Sequence, residues 1–156
     1  MFAATAAIAD RFTEEEIIFR VMESEESSRI IADAIVEYAS LSVHFISSDD
    51  ENDVSVRIPH FVRFTDKEQR DVLRVANDMN NKFRFSKFSV SLEAKSVTME
   101  YDFPEGDDSI ADGAVEIFRR MLQIAEEAYP EFMKAIWGKE HEVPDLGNIV
   151  FHDFEV

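Results

Sequence analysis

Three groups of side chains in this sequence have types and spacings that could do chemistry. The first is the acidic stretch SSDDENDVS, where Asp49, Glu51 and Asp53 have the alternate spacing of a calcium-binding loop. Such a loop needs a glycine at its sixth position and a bidentate carboxylate at its twelfth, but this chain has Val54 and His60 there. We therefore interpret the stretch as a solvated hairpin turn.

The four histidines form the second group, because imidazole is a common metal ligand and acid–base catalyst. They lie in separate segments, at His44, His60, His141 and His152. Only the first two could approach each other across neighbouring strands, and a hydrogen-bonded histidine in a sheet is commoner than a metal ligand. The phosphate-loop, dinucleotide, serine-elbow and helical zinc motifs are all missing from the sequence. We predict no metal, no cofactor and no catalytic residue, with an enzyme that uses paired carboxylates as an open alternative.

The third group is the stretch NDMNNKFRFSKF, in which basic residues alternate with phenylalanines. Such alternation is found in strands that stack nucleobases on exposed rings. Here no glycine flanks the rings, and the two-residue period of a strand puts Phe83 and Phe85 on the face opposite to Phe88. At least one ring must then enter the core, so we predict no nucleic-acid partner.

Charge and composition narrow the class of partner further. The chain has 156 residues, of which 46% are hydrophobic, no cysteine and a net charge of −17. It can therefore fill one core, and its overall field repels nucleic acid and anionic lipid. The N-terminal MFAATAAIAD lacks the basic start of a signal peptide and predicts a short helix, and no apolar run is long enough to span a membrane. We expect a cytoplasmic protein with no membrane partner.

The basic residues are unevenly distributed along the chain. Residues 57–95 hold nine of the sixteen Lys and Arg residues and only five acids, so this segment is a positive band in an acidic chain. Such a band can meet the acidic surface of another protein or of a second copy of the chain.

The hydrophobic pattern predicts an α+β fold. After the N-terminal helix, apolar and polar residues alternate with the two-residue period of strands that have one buried face. The predicted strands are 16–22, 29–38, 41–48, 53–58, 83–92 and 96–103. With helices placed between and after them, the order is α-ββββ-α-ββ-α. We predict an antiparallel sheet of five to six strands with helices packed on it.

The two later helices have recognisable features. The first begins at Thr65, whose spacing to Glu68 fits a capping box, and ends at Asn80-Asn81, where asparagine tolerates a left-handed backbone. The second spans roughly 109–137 and continues through Pro130 with an expected kink. Its apolar arc covers about half of the circumference, more than the ~100° that one sheet face needs, so it requires either the other helix or another subunit as a second packing partner.

The end of the chain offers candidate contact residues. Trp137 falls outside the apolar arc, so it is either an exposed interface anchor or a side chain that the kink buries. Beyond Gly138, an apolar cluster of Ile149, Phe151 and Phe154 predicts a tail that docks on its own domain or on a neighbouring subunit. We expect a single domain at 1–138 and a tail at 139–156.

Several short motifs resemble the YbjN family of small bacterial proteins. In that family an Asn-containing helix end runs into an F-x-K-F strand, a second strand ends near Tyr-Asp, and the last helix has a Tyr-Pro step and closes with Trp-Gly. The matching positions are Asn77, Asn80, Asn81, Phe85, Lys87, Phe88, Tyr101, Asp102, Tyr129, Pro130, Trp137 and Gly138. The resemblance covers roughly 16–138 and implies the α+β fold of type III secretion chaperones, which are usually acidic and dimeric. The family name implies a sensory transduction regulator, and the resemblance brings no catalytic residue.

We predict a non-enzymatic protein-binding module, chaperone-like or regulatory, that acts as a homodimer. The predicted partner-binding residues are Arg57, Arg84 and Lys87 of the positive band, together with Phe132 and Trp137 of the last helix. The alternative is a small-ligand sensor, which requires a pocket between the last helix and the sheet.

Overall fold

The polypeptide alternates between helices and strands in the predicted order. The computed structural model describes residues 1–48, 53–103 and 109–141, with only the backbone described for 139–141. The elements are α1 (Ala3–Glu14), β1 (Phe19–Glu23), β2 (Ser28–Ile35), β3 (Ser40–Ser47), β4 (Ser55–Arg63), α2 (Gln69–Lys82), β5 (Lys87–Ser91), β6 (Ser96–Asp102) and α3 (Ile110–His141). The α+β class and the order α-ββββ-α-ββ-α are confirmed.

The strands form one antiparallel sheet of six strands in the order β1-β2-β3-β4-β6-β5. The first four pair in sequence order as a meander, as the short polar turns predict. The β5–β6 hairpin then returns so that β6 pairs with β4 and β5 lies at the edge. That arrangement depends on pairing between residues far apart in the chain, which a local hydrophobic pattern does not encode.

The helices pack on one face of the sheet and meet each other there. Phe12 of α1 contacts Phe45 of β3 and Phe118 of α3, with ring centroids 5.2 and 5.7 Å apart. Helix α3 packs against both α1 and α2. The wide apolar arc of α3 is therefore explained by contacts with other helices, the first of the two predicted alternatives.

The opposite face of the sheet carries no helix within the described residues, and we call it the open sheet face. One cross-strand row on this face spans all six strands, because the strand registers align Arg20, Ile31, His44, Arg57, Glu100 and Lys87. Ile31 is the buried side chain of the row, and the other five are half-exposed or exposed. It therefore presents a mixed polar and apolar surface, not a purely solvated one.

Two of the predicted helix ends are wrong. Helix α2 begins at Gln69 with Glu68 as its N-cap residue, and the Thr65 hydroxyl donates to the Glu68 carboxylate instead of capping the backbone. The second half of the capping box does form, since the Thr65 backbone N–H donates to Glu68 Oε1 at 3.2 Å. At its other end α2 continues to Lys82 and is followed by Phe83 in an extended conformation, so no left-handed asparagine ends it.

Two strand ends also differ from the prediction. Strand β4 continues to Arg63, five residues beyond the predicted end at 58, and β5 begins at Lys87 instead of at 83. Phe83 and Phe85 therefore precede β5, and the prediction that they lie on one face of that strand is wrong. Helix α3 continues through Pro130 as predicted, and the kink stays a prediction. The calcium-loop carboxylates Asp49 and Glu51, and the docking of the tail cluster at 149–154, lie outside the described residues. Within the described residues, no helix has the length and apolar character that a membrane crossing requires.

Candidate binding site

A cleft opens where the start of β5, the end of β6 and the first half of α3 meet. One half encloses about 370 Å³ and is lined by Asn80, Arg84, Phe85, Ser86, Lys87, Glu100, Tyr101 and Asp102. The other half encloses about 300 Å³ and is lined by Phe85, Tyr101, Phe103, Ser109, Gly113, Glu116, Ile117 and Arg120. Since Phe85 and Tyr101 line both halves, we treat them as one site, the Phe85 cleft. Each half alone is at the lower end of the range of volumes for small-molecule sites.

The side chain of Asn80 positions the first part of the cleft. Its amide nitrogen donates to the Phe88 carbonyl at 3.1 Å, and its amide oxygen accepts from the Phe88 backbone N–H at 2.6 Å. These two bonds tie the last turn of α2 to the outer edge of β5. The short link between them, residues 83–86, is thereby held over the end of β6.

Phe85 lies within that link and is 39% exposed. The guanidinium of Arg120, which comes from α3, lies 4.5 Å from the centroid of its ring. This cation–π contact connects the link to the helix across the cleft. An aromatic side chain with this much exposure at a concave site is available for a ligand or a partner.

Ser86 is the unusual polar group of the cleft. The residue is 6% exposed, and its hydroxyl has no hydrogen-bond partner within the described residues. Buried polar groups in proteins are nearly always hydrogen-bonded, and leaving one unpaired costs about 1–3 kcal/mol. The hydroxyl therefore requires a partner that the described residues do not supply, such as a water molecule or a ligand.

The carboxylates at the cleft all have basic groups beside them. Asp102 Oδ1 lies 2.7 Å from Arg57 Nη1. Glu100 faces both Arg57 and Lys87 on the neighbouring strands. Glu116 accepts from Arg120 at 3.0 and 3.2 Å.

These pairings shift the titration of Asp102. Burial alone would raise the pKa of Asp102, but the hydrogen bond and charge of Arg57, a hydrogen bond from Ser55 and the charge of Lys87 outweigh it and lower the pKa below its usual range. The carboxylate is therefore ionised near neutral pH, and its charge is already balanced by these basic groups.

Arg84, at the rim of the cleft, makes no ion pair within the described part of the chain. The cleft is therefore more favourable to an anion than the net charge of −17 suggests.

Comparison with known sequences identifies the family. The sequence profile of YbjN, described as "Putative bacterial sensory transduction regulator", matches residues 8–134. The chain belongs to the YbjN family. The match includes every strand and most of α3, and its description is that of a regulator family. Searches of curated proteins and of solved structures returned no match.

In this YbjN chain, three of the predicted contact residues come together. Arg84 and Lys87 line the Phe85 cleft, and Arg57 reaches it through its ion pair with Asp102. Arg57 and Lys87 also belong to the central row of the open sheet face, so the cleft and that face share a border.

The two predicted contact residues of α3 lie elsewhere. Phe132 is fully buried, with its ring packed against Phe61 and Phe88, so the placement of its side chain in the core does not fit contact with a partner. A helical wheel places Phe132 on the apolar face of α3 but does not show how deeply that face is buried. Trp137 is 49% exposed and lies outside the cleft.

The positive band of the sequence does not form one surface on the folded YbjN chain. Lys95 pairs with Asp66 at 2.7 Å, at the far end of the hairpin, and Arg74 lies 3.7 Å from Asp71 on α2. Only Arg57, Arg84 and Lys87 combine around the cleft. Sequence spacing alone could not separate these groups, because they lie on different elements.

The open sheet face has its own electrostatics. Burial lowers the pKa of His44, and the charges of Arg29 and Arg20 lower it further against the opposing effect of Asp33. His44 is therefore neutral at pH 7. The described residues contain no group of three or more metal-ligating side chains that could hold an ion.

The sequence did not predict the role of Asn80 or of Ser86. Both residues lie in or beside the NDMNNKFRFSKF stretch, but their importance comes from contacts across the fold. Ser86 could have been found as a polar residue immediately before a strand with a buried ring, whereas Asn80 lies inside α2 and has no such signal.

Proposed function

We propose that this YbjN protein is a non-enzymatic regulatory module that binds another protein and acts as a homodimer. The observation that carries the proposal is the open sheet face, which no described helix covers. A sheet face of this size is normally covered by another layer, because one layer leaves its apolar side chains in water.

The open sheet face combines apolar and basic groups. Ile35 is 87% exposed and Met22 is 55% exposed, and both lie on this face. Arg20, Arg57 and Lys87 are the basic side chains of the row, and Arg20 pairs with Asp33 and Arg57 with Asp102 on the same face. Apolar groups interleaved with arginine are typical of protein interfaces.

A second copy offers a complementary surface if the two open sheet faces meet. Asp33, Glu100 and Asp102 lie on this face among the basic side chains, so basic groups of one copy can face acids of the other across a two-fold axis. Opposite potentials on two surfaces accelerate association and orient the partners. The same pattern of charges would select a partner protein of complementary charge, which supports a chaperone-like or regulatory role.

Sedimentation velocity tests the homodimer. We expect the wild type to sediment as a dimer at micromolar concentration and low salt, and to dissociate as salt screens the charges. Lys87→Glu, on the open sheet face, should weaken the dimer, whereas Arg70→Glu, an exposed position on α2, makes the same charge change as a control. A wild type that is monomeric at low salt would refute the homodimer.

Affinity capture tests binding of other proteins. The wild type is compared with a variant in which Arg57, Arg84 and Lys87 carry reversed charges, and with Arg70→Glu. We expect a specific partner to be retained by the wild type and by the control but lost by the reversed variant. Equal capture by all three would argue against this face as the binding surface.

A second candidate function is supported by one observation. The Phe85 cleft lies between α3 and the sheet, which is where the small-ligand sensor requires a pocket. A sensor in which a small molecule occupies this cleft also agrees with the description of the family as a regulator of sensory transduction.

A further inference from the structure

We propose that the Phe85 cleft binds a small anionic organic molecule. A carboxylate or phosphate group would lie beside Arg84 and Lys87, and an aromatic or apolar part would pack on Phe85. The inference rests on the sensor candidate and names the chemical class of its ligand.

The hydroxyl of Ser86 is the first argument. It is buried in the wall of the cleft and lacks a hydrogen-bond partner within the described residues. A hydroxyl can donate to a ligand oxygen, and bonds to a charged acceptor are about twice as strong as neutral ones. An oxyanion would therefore satisfy a group that is otherwise costly to bury.

The charges at the cleft are the second argument. Each lining carboxylate faces a basic group: Asp102 pairs with Arg57 at 2.7 Å, and Glu116 pairs with Arg120 at 3.0 Å. Arg84 has no such partner among the described residues. The basic side chain without an ion pair favours an anion, and a cation would have to compete with arginines for carboxylates that are already bound.

The aromatic wall is the third argument. Phe85 has an exposed ring and lines both halves of the cleft. Tyr101 lies against Phe103 in an edge-to-face contact with centroids 5.2 Å apart, so the wall behind the link is partly apolar. An inorganic ion would contact only the basic side chains at the rim, whereas an organic anion would contact these side chains and also pack on the Phe85 ring.

Amide chemical-shift titration of the full chain tests the inference with four probes. Phenyl phosphate and benzoate carry both the ring and the anion, inorganic phosphate carries only the anion, and benzylamine carries the ring with a positive charge. We expect saturable shifts at residues 84–87 and 101 with at least one of the two aromatic anions, weaker binding of inorganic phosphate and no such shifts with benzylamine.

Variants locate the site. Ser86→Ala should weaken binding of the aromatic anion about tenfold, the loss of one charge-assisted hydrogen bond, and Arg84→Gln should weaken it by a similar factor. Ser89→Ala, on the same strand but outside the cleft, and Arg70→Gln are the matched controls and should bind as the wild type does. The amide spectrum of each variant reports whether the fold is retained.

The outcomes separate the ligand class from the sensor function. Tighter binding of benzylamine than of both aromatic anions would overturn the anionic class while leaving a ligand site in place. Unchanged affinity in Ser86→Ala, or inorganic phosphate that binds as tightly as phenyl phosphate, would also overturn the proposed mode. No saturable shifts with any probe would overturn both the inference and the sensor candidate, and the Ser86 hydroxyl would then be assigned to water.

Discussion

Replacing Asn80 with alanine tests how the edge of the sheet is held against α2. The Asn80 amide makes two hydrogen bonds to the backbone of Phe88, at 2.6 and 3.1 Å. Phe88 itself is 2% exposed, and it lies on β5, which among the described strands pairs with only β6. Without the amide, the outward-facing N–H and carbonyl of Phe88 would lack a protein partner.

The magnitude follows from two opposing contributions. Each lost hydrogen bond costs about 0.5–1.5 kcal/mol, so the pair together contributes about 1–3 kcal/mol to the free energy of unfolding. Alanine is the better helix former by up to about 0.7 kcal/mol, which offsets part of the loss. Asn81→Ala gains the same helix propensity at an exposed neighbouring position, so the difference between the two variants isolates the hydrogen bonds.

Urea unfolding followed by circular dichroism measures this difference. We expect Asn80→Ala to be about 1–3 kcal/mol less stable than Asn81→Ala, with an unchanged dependence on urea concentration. Hydrogen exchange gives a second measurement, because the Phe88 amide should exchange faster in Asn80→Ala than in Asn81→Ala. Equal stability of the two variants, with equal protection of the Phe88 amide, would refute the assignment of Asn80 as the clamp.

Two further changes test the packing of α3 and the charges of the cleft. A Cβ at Gly113 would lie 2.8 Å from the Phe103 ring, so Gly113→Ala should destabilise the fold by about 1–3 kcal/mol. A Cβ at Gly138 would have nothing within 4 Å, so Gly138→Ala should stabilise the fold by up to about 1 kcal/mol. Thermal unfolding measures both changes. The pKa of Asp102 in the folded state lies below its unfolded value of about 3.9, because the hydrogen bonds and charges led by Arg57 outweigh burial. The ionised carboxylate therefore stabilises the fold above about pH 4. This contribution is lost as the pH falls through the folded pKa. The stability gap between wild type and Asp102→Asn should accordingly narrow between neutral pH and about pH 3, and a gap that widens would contradict the assigned ion pair.

The local sequence pattern was sufficient to predict the helices and strands but not how the strands pair in the sheet. The two-residue period and the apolar arc of α3 identify strands and helices, because these periods arise from backbone geometry within a few residues. The insertion of β6 between β4 and β5 comes from contacts between distant parts of the chain. The two-residue period of β5 and β6 does not distinguish this order from a sheet in which the strands pair in sequence order.

The same limit explains what was missed at the site. Asn80 and Asn81 are adjacent and identical, and a propensity argument treats both as residues for a helix end. In the fold only Asn80 meets the β5 backbone, because α2 continues to Lys82 and packs against β5. For Phe132 the pattern correctly identified an apolar face, but only the packing shows that the ring is enclosed.

The two proposed functions are linked by shared side chains. Lys87 lines the Phe85 cleft and also ends the central row of the open sheet face, and Arg57 joins the same row to the cleft through Asp102. An anion bound beside Lys87 would offset positive charge that the open sheet face needs for an acidic partner. If both proposals hold, binding of the ligand must therefore weaken binding of the partner. Thermodynamic linkage then requires the partner to lower the affinity for the ligand by the same factor as the ligand lowers the affinity for the partner. A regulator built in this way would need no large conformational change, because the coupling is electrostatic and the two surfaces share a border.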